Sequence, residues 1–183
     1  MKHFYVVLCR TGTFLSKIIS KATGDNFTHA SISFDDKLQT MYSFGRLWAY
    51  NPLIGGFVKE SVQYGTMRRF RHADSLVMRI EVDDEKYNKI VKYIEDMYTE
   101  RKKYKYNYLG LFLSKWRVRI HSQKSKRFYC SEFVNYILER FGIIEPGEFG
   151  RVVRPMELLK VYHSGKGEVV YRGALCSFAA AQI

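Results

Sequence analysis

Apolar and polar residues alternate with a period of two over residues 3–9 and again over 28–34, the spacing of half-buried β-strands. In the second run His29, Ser31 and Ser33 share one face, and Ala30, Ile32 and Phe34 share the other. Asp35-Asp36-Lys37 reads as a turn, so 38–44 is expected to return as the second strand of a hairpin. Pairing Phe34 with Leu38 sets His29 opposite Ser43, Ser31 opposite Met41 and Ser33 opposite Gln39; a one-residue slip would bring Tyr42 or Phe44 opposite instead. Over 13–23 the apolar positions Phe14, Leu15, Ile18, Ile19 and Ala22 recur at helical spacing, with Gly24 as a stop. Residues 45–56 carry Trp48, Tyr50, Asn51-Pro52 and Gly55-Gly56 and are expected to be irregular.

Further along, 75–82 predicts a strand, and Asp83 then caps a long helix with the stripe Tyr87, Ile90, Val91, Ile94, Met97 and Tyr98. Cys130 opens another helix, with apolar positions Phe133, Val134, Ile137, Leu138 and Phe141, closed by Gly142. Arg154-Pro155-Met156 starts a short helix to about Tyr162, and 168–175 predicts a last strand. No repeat or linker interrupts the pattern. Helices placed between hairpin-like strands imply a single α+β domain over 1–183, its core over about 3–175, with a mostly antiparallel sheet and packed helices.

At 183 residues, 46% apolar and 16% aromatic with only three prolines, the chain excludes disorder, collagen and low-complexity repeats. No apolar run approaches the roughly 20 residues that span a bilayer. The N-terminus lacks an apolar block with a cleavage site, so no secretory signal is expected and the cytoplasm is the expected compartment. Cys9, Cys130 and Cys176 are odd in number and far apart, which supports neither a disulfide framework nor a zinc site. The formal charge of +12 favours polyanionic partners. Residues 101–127 mix bases with Tyr104, Tyr106, Tyr108, Phe112 and Trp116. This mixture suits single-stranded nucleic acid or lipid headgroups, but no nucleic-acid fold motif accompanies it, and no specific nucleic acid is expected.

Cys130 is the candidate nucleophile. In the first turn of its helix, exposed amides and the helix dipole favour a thiolate. Its partners on the helix face, Phe133, Val134, Ile137 and Phe141, turn the thiol toward the sheet. A thiol buried in mid-helix would be only a small hydrophobe; the helix start is what favours chemistry. A thiolate needs a base and the base an orienter. His3, His72, His121 and His163 sit at edges, whereas His29 begins a strand beside small polar residues, with Ser43 as the expected orienter.

Thr28-His29-Ala30-Ser31-Ile32-Ser33-Phe34, then Tyr42-Ser43-Phe44-Gly45-Arg46, and later Phe128-Tyr129-Cys130-Ser131-Glu132-Phe133-Val134 resemble the circularly permuted branch of the NlpC/P60 papain-like superfamily, and most of all the bacterial YiiX/YebB-like cysteine hydrolases. Papain-like enzymes place the cysteine before the histidine; here the histidine comes first. The resemblance implies Cys130 as nucleophile, His29 as general base and a third polar residue on the following strand. Many relatives carry an acid, an amide or another histidine there, where this sequence offers Ser43. It implies a thiol hydrolase or acyltransferase acting on an amide or ester in peptide, anionic cell-wall or lipid acyl substrates, with no metal or organic cofactor. Arg46, Tyr42, Trp48 and Tyr129 are the expected substrate-binding residues, and Glu132 is expected to cap its helix. The alternative is a papain-like shell without turnover that applies its basic, aromatic surface to polyanions.

Overall fold

The computed structural model describes residues 1–12, 24–48, 51–65, 67–116, 125–178 and 180. The helix expected over 13–23, Tyr50 and His121 lie outside them. Eight strands form one open sheet: β1 (Lys2–Cys9), β2 (His29–Ser33), β3 (Met41–Trp48), β4 (Asn51–Glu60), β5 (Asp74–Val82), β6 (Lys105–Tyr106), β7 (Arg127–Phe128) and β8 (Glu168–Ala174). They lie in the order β7-β6-β4-β3-β2-β1-β5-β8, and every pairing is antiparallel except the short β6–β7 contact. Among the described residues the α-helices are α1 (Asp84–Thr99), α2 (Tyr108–Leu113), α3 (Cys130–Arg140) and α4 (Lys160–His163). The α+β class and the antiparallel sheet agree with the periodicity of the chain.

Alternation along the strands builds two cores. On one face Phe4, Val6, Leu8, Ala30, Ile32, Phe44 and Phe57 pack against Ile90, Ile94 and Met97 of α1 and against Phe133, Val134, Ile137 and Leu138 of α3. On the other face Tyr5, Val7, Cys9, Met41 and Val77 close over Met67, Leu175 and Phe178. Asp83 caps α1 as expected, its Oδ1 accepting the Lys86 amide at 2.7 Å. Gly142 stops α3 with φ 62°, a left-handed backbone that costs glycine nothing.

The hairpin departs from expectation in two ways. β2 and β3 pair Ser33 with Met41 and Ile32 with Tyr42, so the turn is longer than three residues. Asp35 causes this: its carboxylate accepts the amides of Lys37, Gln39 and Thr40 at 3.0, 2.9 and 2.9 Å, holding the loop open through 40. Continuing the observed register places Gly45, not Ser43, opposite His29. The stretch over 45–56 is also no irregular loop. β3 runs on to Trp48, and β4 returns as a ten-residue strand from Asn51, with a register irregularity between Arg46 and Trp48. Gly45 pairs with Gly56 and Arg46 with Gly55, and these glycines hide the period-two pattern.

Candidate active site

His29 is the first residue of β2 and pairs with Cys9 at the end of β1. Glu60 is the last residue of β4, and its Oε2 lies 2.8 Å from His29 Nε2, with the two side chains 9% and 11% exposed. The Cys130 thiol is within hydrogen-bonding reach of the same imidazole. Because Nε2 is engaged by Glu60, Nδ1 is the nitrogen left to serve the thiol. Acid, imidazole and thiol therefore form one chain of contacts, drawn from β4, β2 and the start of α3.

The first turn of α3 is held from several sides. Tyr129 precedes it with extended backbone, φ −102° and ψ 173°. Ser131 Oγ donates to the Val153 carbonyl at 2.8 Å. Glu132 accepts from the Tyr129 amide at 3.4 Å and from Asn107 Nδ2 at 3.2 Å, the capping role expected of it. These bonds fix Cys130 at a helix start, where the free amides face a developing negative charge.

The electrostatics follow from burial and pairing. Burial alone would push the His29 imidazole down, but the Glu60 charge, the hydrogen bonds to Cys130 and Glu60 and the charge on Cys130 together hold it well above its ordinary value. His29 is therefore built to remain an imidazolium at neutral pH. Burial pushes the neighbouring Cys9 thiol up to about 12, against a smaller downward pull from His29. Cys9 is thus protonated and inert, whereas Cys130 has a base. Burial, then the charges on Cys130, Tyr108, Tyr129 and Glu60, raise the Tyr106 phenol well above normal, so a neutral Tyr106 stands beside the site. Its ring lies 4.5 Å from that of Tyr108.

Two expected positions need correcting. Ser43 is fully buried and donates to the Ala30 carbonyl at 2.6 Å; the observed register removes it from His29, and Glu60 holds the ring instead. Tyr42 faces the helices, not the site: its ring stacks at 6.3 Å on Phe57 and its hydroxyl donates to Glu95, because strand alternation puts it on the face of Phe44. Trp48 ends β3, and its side chain lies outside the described residues. Arg46 stands on β3, where its charge acts on the Tyr108 phenol. Tyr129 is buried directly before the thiol. Among the described residues no group of three or more His, Cys, Asp or Glu side chains is placed to hold a metal ion.

The place of Glu60 beside His29 was not legible in the sequence, although it is the sole acidic residue between Asp36 and Asp74. Its role depends on Gly45. A Cβ at Gly45 would come 2.9 Å from Glu60 Oε1 and 3.8 Å from His29 Cε1. Gly45→Ala should therefore push the carboxylate off the ring while leaving the fold intact. We expect alkylation of Cys130 by iodoacetamide at neutral pH to slow about tenfold. An unchanged rate would mean that Glu60 tolerates displacement.

No protein-family model matches the chain, and no curated protein sequence matches it either.

Proposed function

We propose that this protein is a cysteine hydrolase or acyltransferase of the permuted papain-like type, acting on an amide or ester. The observation that carries the reading is the imidazole of His29 held by Glu60 at 2.8 Å on one nitrogen, with the Cys130 thiol in reach of the ring. That is the arrangement of nucleophile, base and orienter that acyl transfer requires. The order of histidine before cysteine, with the Tyr129-Cys130-Ser131-Glu132 helix start, supports the NlpC/P60 resemblance. In this family reading Glu60, from β4, takes the third position that Ser43 was expected to fill.

In the resting pair the proton of the thiol already sits on His29 Nδ1, and the Cys130 sulfur attacks the carbonyl carbon. The oxyanion forms at the start of α3, where the Cys130 amide donates to it. As the C–N or C–O bond breaks, the imidazolium returns its proton to the departing nitrogen or oxygen. A thioester remains on Cys130. Water, or another acceptor hydroxyl or amine, is then deprotonated by His29 and attacks the thioester. The acyl product leaves, the Cys130 sulfur is released, and His29 keeps the proton taken from the acceptor, which restores the resting pair. Glu60 holds the ring throughout and stabilises the imidazolium.

The test is acylation by a p-nitrophenyl ester, with the modified residue located by peptide mass spectrometry. The acyl group is expected on Cys130, with His29→Ala slowing its appearance on the order of a hundredfold or more. Cys176 is the internal control: it is half-exposed and 3.5 Å from His72 Nδ1, without a buried carboxylate. Acylation at Cys176 alone, or of Cys130 at the same rate after His29→Ala, would overturn the proposal.

A further inference from the structure

Among the described residues most large apolar side chains are covered, but five of the exposed ones lie on the β3–β4 hairpin and on or just after α2. Leu47 and Ile54 project from the distal part of the β3–β4 hairpin, and Leu109, Phe112 and Trp116 from α2 and the turn after it. Phe112 and Trp116 are 63% and 56% exposed, with rings 5.5 Å apart. The hairpin and helix are neighbours: a Cβ on Gly55 would strike the Tyr108 hydroxyl at 2.5 Å, and one on Gly56 would meet Leu47 Cδ1 at 3.5 Å. Gly110 and Leu111 form the buried side of α2, so Leu109 and Phe112 present its opposite side to solvent. An exposed apolar patch of this kind marks an interaction surface.

Charge identifies the occupant. Residues 101–127 hold ten Lys or Arg and no Asp or Glu, in a chain whose net charge is +12. Lys105 and Arg127 are paired across β6 and β7, both are exposed, as is Lys126, and Lys105 pairs with Gly56 of the hairpin. Apolar side chains with bases on the adjoining strands match the depth profile of an anionic bilayer surface: rings and aliphatic chains enter the acyl boundary while Lys and Arg meet headgroup phosphates. Among the described residues no helix is long and apolar enough to cross a membrane.

We propose that the end of the sheet formed by the β3–β4 hairpin and α2 docks on an anionic phospholipid surface. Gly45, opposite His29, lies two residues before Leu47 on the same strand, and Tyr108, ring to ring with Tyr106, precedes Leu109. Docking therefore turns the thiol site toward the lipid. This last step rests on the thiol reading; the docking itself does not.

The experiment is co-sedimentation of the full chain with vesicles of phosphatidylcholine alone, or of phosphatidylcholine with phosphatidylglycerol. The chain is expected to pellet with the anionic vesicles and stay in solution with the neutral ones. The double variant Phe112→Ser, Trp116→Ser should bind the anionic vesicles about tenfold or more weakly, with its melting temperature and Cys130 alkylation in vesicle-free buffer unchanged. Cys130→Ala should pellet like the parent, so loss of catalysis and loss of docking are read separately. Equal pelleting of the double variant and the parent would overturn the proposal. So would a parent that stays in solution, or whose patch instead holds a second copy, seen as an oligomer that the double variant dissolves. Binding to single-stranded oligonucleotide without vesicle binding would do the same.

Discussion

Glu60→Gln is expected to lower the rate of Cys130 acylation about 100- to 10,000-fold, with a change in pH profile that a simple loss of packing would not give. The carboxylate does two things at His29: it fixes the ring through Nε2 at 2.8 Å, and its charge offsets the burial that would otherwise discharge the imidazolium. Glutamine keeps the size and one hydrogen-bond acceptor but not the charge. In the variant burial acts with less opposition, and the His29 value falls. The wild-type alkylation profile should stay flat through neutral pH into the alkaline range, whereas the variant loses its imidazolium-dependent phase at lower pH.

Stability follows the same sign. The folded His29 value is raised, so the pair's contribution is fully present below the ordinary histidine pKa of about 6.5 and is lost as pH rises through the raised value. The difference in unfolding free energy between wild type and Glu60→Gln should thus be largest in mildly acidic solution. There it should amount to about 1–3 kcal/mol, because the amide still pairs with the ring. A variant with wild-type acylation and an unshifted profile would remove Glu60 from the mechanism.

What sequence could and could not reveal divides along physical lines. Cys130 and His29 were legible because each depends on local pattern: a helix start in one case, the first polar position of an alternating strand in the other. Glu60 depends on two non-local facts. One is the pairing of β3 with β4, which Gly45, Gly55 and Gly56 conceal by leaving no side chains to alternate. The other is the absence of a Cβ at Gly45, which opens the path to the ring. Ser43 failed as orienter for a reason two residues wide: Asp35 gathers three backbone amides, lengthens the turn and shifts every partner on β3. Strand alternation survives a shift of two, so the helix-facing core was legible from the same residues that gave the wrong opposite neighbour.

The seat of α3 carries the second large effect. Phe57, 1% exposed, stands on β4 with its ring 5.1 Å from Phe44, 5.0 Å from Phe133 and 6.3 Å from Tyr42. It joins the strand that bears Glu60 to the helix that bears Cys130. Phe57→Ala should therefore cost about 3–5 kcal/mol of unfolding free energy, from lost transfer energy together with the cavity left between sheet and helix. In a chain of this size that corresponds to a melting temperature lower by roughly 10 °C. Phe112→Ala, made on a side chain 63% exposed, should stay within about 0.5 kcal/mol of wild type, and the pair of measurements separates core from surface. Urea unfolding followed by near-ultraviolet circular dichroism gives both values. Because the cavity lies between the strand that bears Glu60 and the helix that bears Cys130, Phe57→Ala should also slow Cys130 acylation under native conditions, where the chain is still folded. A loss below about 1 kcal/mol would mean that β4 is not seated on α3, and with that seat would go the common support of acid and thiol.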